Sequence, residues 1–273
     1  MPVAEERLER VKRIGWWPNK SYRAYLAEHH EEMDKVTGTV HYIASADNLT
    51  ALEYFPNARR FIYQDPVLDH DAMHRALRQL EEKGLVKGIE AERVSEHESR
   101  FTFEYNGASK ELRVIGGKKG DLRNKSNIPV ESVDAIHESR FFHHDVRVGR
   151  KALANVLPNL KEGGIIFGGT DSLFLKASPN DIHPEPAHAG LEKRGRFFVK
   201  ARHMTTGELE RALGVEGEVG YRKSGTVEAL RKEKQGRLSD KPGQKIDISE
   251  FVDKDGAWKP GALEEFRKRL KKR

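Results

Sequence analysis

The chain has 273 residues, 37% hydrophobic and 34% charged, enough for one large domain with additions or two small ones, and no apolar run approaches the ~18 residues that span a bilayer. Cysteine is absent, which excludes a disulfide framework, a thiolate metal site and a cysteine nucleophile. The formal charge of +6 sits at one end: residues 222–273 hold 16 Lys/Arg against 9 Asp/Glu, while the rest holds 33 against 34.

That placement points to an acidic partner for the C-terminal segment, RNA or DNA first, or to a solubilising tail. Residues 1–14 lack the apolar stretch of a secretory signal, so a cytoplasmic protein with no membrane partner is expected.

In chain order, "VAEERLERVKRI" places Ala4, Leu8, Val11 and Ile14 on one helical face, with Gly15 as a stop. "SYRAYLAEHHEEM" predicts a second helix capped by Ser21, and Trp16 and Trp17 between the two would lodge this element, residues 1–35, against the main domain. From residue 40 the pattern shortens. "VHYIA" predicts a buried strand, "NLTALEYF" a short helix, and "RFIYQD" a second strand. "DHDAMHRALRQLEEKG" predicts a helix with Ala72, Ala76, Leu77 and Leu80 inward and Gly84 at its end. The alternating arms around Asn106-Gly107 predict a hairpin, because those turn positions need positive φ; the second arm, "KELRVI", continues into the main sheet.

"VDAIHE" predicts the next strand, "VGRKALANVLPNL" a helix interrupted late by Pro158, and "GGIIFGGTD" a further buried strand. "SPNDIHPEPAHAGLEKRG" reads as a loop. "RFFVKARH" and "EVGYRK" then bracket a helix, "TTGELERALG", with a Thr205/Glu208 capping box and Gly214 as its stop, and could supply the last two strands. Strands alternating with helices predict an α/β domain over residues 36–222, a mainly parallel sheet with both faces covered. A basic extension, residues 223–273, ends in the helix "PGALEEFRKRLKKR", whose Arg267, Lys268, Arg269, Lys271, Lys272 and Arg273 are the candidate nucleic-acid contacts.

In such sheets ligands bind beyond the strand carboxyl ends, which singles out Ala44 to Asn48, Asp65, the loop from Gly116 to Asp121, His137 with Glu138, and Thr170 with Asp171. "YIASADNLTALEYFPNARRFIYQD", "VDAIHE" and "VLPNLKEGGIIFGG", in that order and spacing, resemble the first, second, fourth and fifth strands of class I S-adenosylmethionine-dependent methyltransferases, over about residues 36–200. The resemblance implies a three-layer Rossmann-like fold and S-adenosylmethionine as cofactor. It also implies that Ala44, Ser45 and Asp47 face the methionine part, that Asp65 accepts hydrogen bonds from the ribose hydroxyls, and that Asp121 lies near the adenine. His137 and Glu138 would occupy the region where methyl-transfer sites often sit, as candidate catalytic groups.

The family's glycines after strand one are replaced here by "ASADN", although small residues still permit close approach. Asp47 fits either the cofactor's amino group or a cap on the short helix. No metal site is expected, since adjacent His143 and His144 point apart and "HESRFFHHD" lacks zinc-ligand spacing. "GGKKGD" is not a P-loop, though Lys118 and Lys119 are available to an anion. Neither GxSxG nor GxGxxG occurs, which disfavours a serine hydrolase and an NAD-dependent dehydrogenase.

Two readings follow. One is a methyltransferase-like enzyme acting on an anionic or nucleic-acid substrate, with an open pocket bounded by Ser45, Asp65 and His137. The other is a non-catalytic Rossmann-like nucleic-acid-binding or scaffold protein, with that space filled by Tyr42, Leu49, Phe141 or Phe142.

Overall fold

The computed structural model describes residues 3–14, 20–124, 127–138, 146–174 and 184–217. The chain divides into two compact units, Met1–Arg222 and Lys223–Arg273, and the second, with the basic tail, lies outside the described residues. Trp16, Trp17, His143 and His144 also lie outside them.

Five strands run parallel: β1 (Thr39–Ile43), β2 (Arg60–Gln64), β5 (Ala108–Ile115), β6 (Val133–Glu138) and β7 (Leu160–Phe167). The hairpin β3 (Val86–Ser95) and β4 (Glu98–Tyr105) extends one edge antiparallel, and β8 (Leu191–Arg194) and β9 (Phe197–Lys200) extend the other. The order is β3-β4-β5-β2-β1-β6-β7-β9-β8. The parallel strands therefore lie third, second, first, fourth, fifth, the order of a doubly wound sheet whose connections reverse direction between β1 and β6.

Register builds the core. Tyr63, Tyr42, His137, Phe167 and Phe197 are successive cross-strand partners, so five rings line up on one face of the sheet. The amino-terminal helices α1 (Val3–Ile14) and α2 (Lys20–Asp34), with α3 (Ala51–Tyr54) and α4 (His70–Glu82), bury their apolar sides in the same cluster. On the other face Ile43, Ile136, Ile166 and Phe198 pack with Leu153 of α6 (Val146–Val156) and Leu209 of α7 (Thr206–Leu213). The result is helix, sheet, helix in three layers.

A buried polar contact fixes α1. Arg10 Nε donates to Glu53 Oε2 at 2.7 Å, and Tyr105 donates to the other oxygen of the same carboxylate, which is 1% exposed. One group thus joins α1, α3 and β4.

Several expectations need correction. α2 starts at Lys20, so Ser21 lies inside the helix instead of capping it. The inward residues of α4 are Met73, Leu77 and Leu80, while Ala72 and Ala76 are only half-buried. β3 was not expected, because its residues after Val86 are almost all exposed and show no alternation of burial. The partner of "RFFVK" is Leu191–Arg194, inside the stretch read as loop, and both strands precede α7. Residues 218–223 lie outside the described set. The Asn106-Gly107 turn is as expected, with φ of 50° and 74°, and α7 carries its Thr205/Glu208 capping box and ends at Gly214 in the left-handed region.

Candidate functional site

The carboxyl ends of β5, β2, β1 and β6 meet at the reversal point of the sheet. The loop after β1 holds two non-glycine residues in the left-handed region, Ala44 at φ 51° and Ala46 at φ 47°. This conformation costs an alanine roughly 1 kcal/mol or more per residue, and it is the one that glycine adopts freely. Backbone shape that calls for glycine is therefore present without the glycines.

Hydrogen bonds hold the loop. Ala44 N–H donates to Gln64 O at 2.9 Å, Asn48 N–H to Ser45 O at 3.1 Å, and Ala46 N–H to Asp65 Oδ2 at 3.1 Å. Asp65 Oδ1 accepts from Val67 N–H at 2.9 Å, so the carboxylate ties the β1 loop to the turn after β2. It is 8% exposed. Ser45 is buried, Ala44 and Ala46 are half-buried, and Asp47 is exposed. Asp47 does not cap α3: Asn48 Oδ1 accepts Thr50 N–H at 2.9 Å, and that satisfies the local donor.

The loop after β5 is pressed onto the same ends. A side chain at Gly116 would sit 1.9 Å from Leu68 O, and one at Gly120 would sit 2.6 Å from Asp65 O. Glycine is required there by contact alone. Gln64 Nε2 donates to Lys119 O at 3.1 Å, while its Oε1 lies 2.9 Å from His41 Nε2. The one-turn helix α5 (Gly117–Gly120) leaves Lys118 and Lys119 exposed. Asp121 is closed in a chelate with Arg123, whose Nη2 lies 2.6 Å and Nε 2.9 Å from its oxygens.

His137 and Glu138 end β6 on opposite faces. His137 is 1% exposed, with its ring centroid 4.5 Å from Tyr42, 5.1 Å from Tyr54 and 5.8 Å from Phe55. Burial pushes the imidazole down to about 3, so it is neutral at physiological pH. As a general base in an open pocket His137 is misplaced: strand parity puts it in the aromatic row. Glu138 is fully buried beside Gly168, where an added side chain would meet Glu138 O at 2.5 Å and Oε2 at 2.8 Å. Thr170 is buried, and exposed Asp171 pairs with Lys193 at 2.7 Å.

Ser45, Asp65 and the β5 loop are therefore brought together, and His137 is turned away from them. Tyr42 and Leu49 are buried in the core cluster that also holds Tyr63 and Phe167, while Phe141 and Phe142 lie outside the described residues. Sequence reasoning missed Gln64 and Gly168. A glutamine after three apolar strand residues carried no signal, whereas the paired glycines after "IIF" did. Among the described residues no three His, Asp or Glu side chains form a metal site, and no helix is long and apolar enough to cross a membrane.

No protein-family model matches the chain, and no curated protein does. Among solved structures it is similar to YcgJ from Bacillus subtilis, at 20% identity over 52% of this chain and 48% of that one, with a TM-score of 0.33. A candidate S-adenosyl-L-methionine-dependent methyltransferase from Methanococcus maripaludis matches at 15% identity over 99% of this chain and 79% of its own, TM-score 0.32. MycE, a methyltransferase of the mycinamycin biosynthetic pathway in complex with Mg and SAH, matches at 13% over 85% and 55%, TM-score 0.34. The chain spans about half of the first of these proteins. Strand order and direction, taken from this molecule alone, define its doubly wound α/β fold.

Proposed function

We propose that the carboxyl ends of β1 and β2 bind S-adenosylmethionine and that the protein is a methyltransferase-like enzyme. The observation that carries this reading is the strained loop at the reversal point, Ala44 and Ala46 both left-handed and latched to Asp65. Backbone strain of this kind persists where the surrounding structure enforces it and concentrates at ligand sites. The motif resemblance supplies the ligand's identity.

The residues present fit that ligand. Ser45 and the two alanines leave the backbone approachable, and the Asp65 carboxylate, already oriented by two amides, is the acceptor for ribose hydroxyls in this reading. S-adenosylmethionine, when bound, supplies a methyl group activated on a sulfonium centre. The protein then contributes mainly alignment and exclusion of water. His137 takes no part as a base in this reading; its role is to fill the core beneath the loop. An anionic or nucleic-acid acceptor fits the surplus of cations in residues 222–273, and a cytoplasmic location fits the composition.

One observation favours the alternative of a non-catalytic scaffold. Asp65 is engaged by backbone on both oxygens and His137 is sealed in the core, the arrangement of a fold that has kept its strand ends for structure. Calorimetry with S-adenosylmethionine and S-adenosylhomocysteine separates the two. Binding by the wild type that weakens at least tenfold in Asp65→Ala supports the enzyme. No heat of binding up to millimolar ligand, from a chain that melts cooperatively, supports the scaffold.

A further inference from the structure

At the opposite end of the same strands, the start of β2 and β5 and the turns before them form an open groove of about 1010 Å³, lined among others by Thr37, Asn57, Arg59, Arg60, Ser109 and Lys110. Arg60 opens β2 and Asp65 follows its last residue, so the groove lies roughly 16 Å from the loop described above, at a strand rise of ~3.3 Å per residue.

Its charges do not balance. The carboxylates nearest it are engaged by other cations: Asp34 by Arg7 at 2.6 Å, Asp134 by Lys161 at 2.8 Å, Glu53 by Arg10 at 2.7 Å, and Glu111 by Arg100 at 3.5 Å, a cation it shares with Glu92. Arg59 and Arg60 are exposed, and neither has a carboxylate within ion-pair distance among the described residues. Their backbone N–H groups both donate to Gly38 O, at 3.1 and 3.2 Å, and both residues line the groove. Lys110 Nζ closes the floor by donating to Pro56 O at 2.6 Å and Ala58 O at 2.7 Å. Burial, and after it the charge of Arg59, push this lysine below its ordinary value against the opposing charge of Glu53. Thr37 and Ser109 add hydroxyl donors. No aromatic side chain lines the groove, so it offers bases no stacking platform.

We propose that this groove binds the phosphate backbone of a nucleic acid without regard to sequence. The forked, always-charged guanidinium is the group best matched to a phosphate, and two of them stand at one strand end. This site does not depend on cofactor binding at the other end of the sheet, and none of its residues belongs to the basic tail.

The test is the salt dependence of binding, by fluorescence anisotropy, of a labelled fifteen-nucleotide single-stranded oligonucleotide to the full chain. Each phosphate contact contributes about 0.7 to the slope of log affinity against log salt for a single strand. Arg59→Ala/Arg60→Ala is expected to reduce that slope by about 1.4, and Arg59→Lys/Arg60→Lys to restore most of it. The double alanine variant is expected to lose the same ~1.4 in a chain whose cations from Arg267 to Arg273 have been neutralised. A slope unchanged by the double alanine variant, with an unchanged melting temperature, overturns the proposal. So does failure of the wild type to bind at low salt. Displacement of the oligonucleotide by inorganic phosphate well beyond that by chloride at equal ionic strength overturns it too, in favour of a small-anion site.

Discussion

His137 and Asp65 both stand at the carboxyl end of a parallel strand, one near the end of β6 and the other just past β2, yet they belong to different parts of the molecule. His137 shares a face with Tyr42, Tyr63, Phe167 and Phe197 and is sealed beneath α3. Asp65 lies beyond the last ladder residue, where its carboxylate turns to the amides of Ala46 and Val67. Reach along the strand separates them and parity does not: Asp65 continues the parity of Tyr63, which shares a face with His137, but it stands past the last ladder residue, while His137 is still in register with Tyr42 and Tyr63. A polar residue type does not override that register, because a neutral imidazole packs well among rings.

The largest effect that would break this comparison is at His137. Replacement by alanine leaves a cavity in the aromatic row and is expected to cost about 3 kcal/mol, read from urea unfolding. Phenylalanine, of similar volume, should cost less than about 1.5 kcal/mol and leave S-adenosylhomocysteine binding intact. A loss of binding in a stable His137→Phe variant would return the residue to the site.

Acid sharpens the same point. Burial holds His137 down to about 3 and His41 to about 4, both below the unfolded value of 6.5. Between those values the unfolded chain binds protons that the folded one refuses, so stability is complete above pH 6.5 and falls as pH drops toward 4. Each histidine contributes on the order of 3 kcal/mol to that fall. Thermal melts across this range should steepen with acid, less so in His137→Phe.

Arg10→Met probes the helical side of the core. It leaves the Glu53 carboxylate buried with Tyr105 of β4 still donating to it, and since Arg10 is 28% exposed a loss of about 2 kcal/mol is expected, at the low side for a broken buried pair. Stability recovered in Arg10→Met/Glu53→Gln would tie the loss to the stranded charge.

The rim gives smaller changes in stability. Asp65→Ala frees two amides and should cost about 1 to 2 kcal/mol. Ala44→Gly and Ala46→Gly should each stabilise by up to about 1 kcal/mol, as glycine relieves the left-handed strain despite its larger unfolded-state entropy. Destabilisation by either glycine would show that the loop is not strained in solution.

Much of the fold was legible because local signals and burial agree. Asn106-Gly107 set a hairpin, and Thr205, Glu208 and Gly214 set both ends of α7. β3 was not, since an edge strand exposed on both faces carries no period, and β8 was not, with only Leu191 of its four residues buried. Asp65 could be found from its place at a strand end, whereas its bond to Ala46 could not. Glu53 was invisible for another reason: Arg10 and Tyr105 reach it from 43 and 52 residues away, and nothing local marks a carboxylate that will be buried. His137 was misassigned because it lies inside the ladder, one residue before the end of β6 and in register with Tyr42 and Tyr63, whereas Asp65 lies past the end of its strand.

Hydrogen exchange read by mass spectrometry, with and without saturating S-adenosylhomocysteine, tests the central claim most directly. The account requires protection on binding in the peptides covering Ala44–Asn48 and Asp65–Leu68, with peptides at the other end of the sheet around Arg59 unaffected. Exchange in the β1 loop that is the same with and without ligand would contradict it.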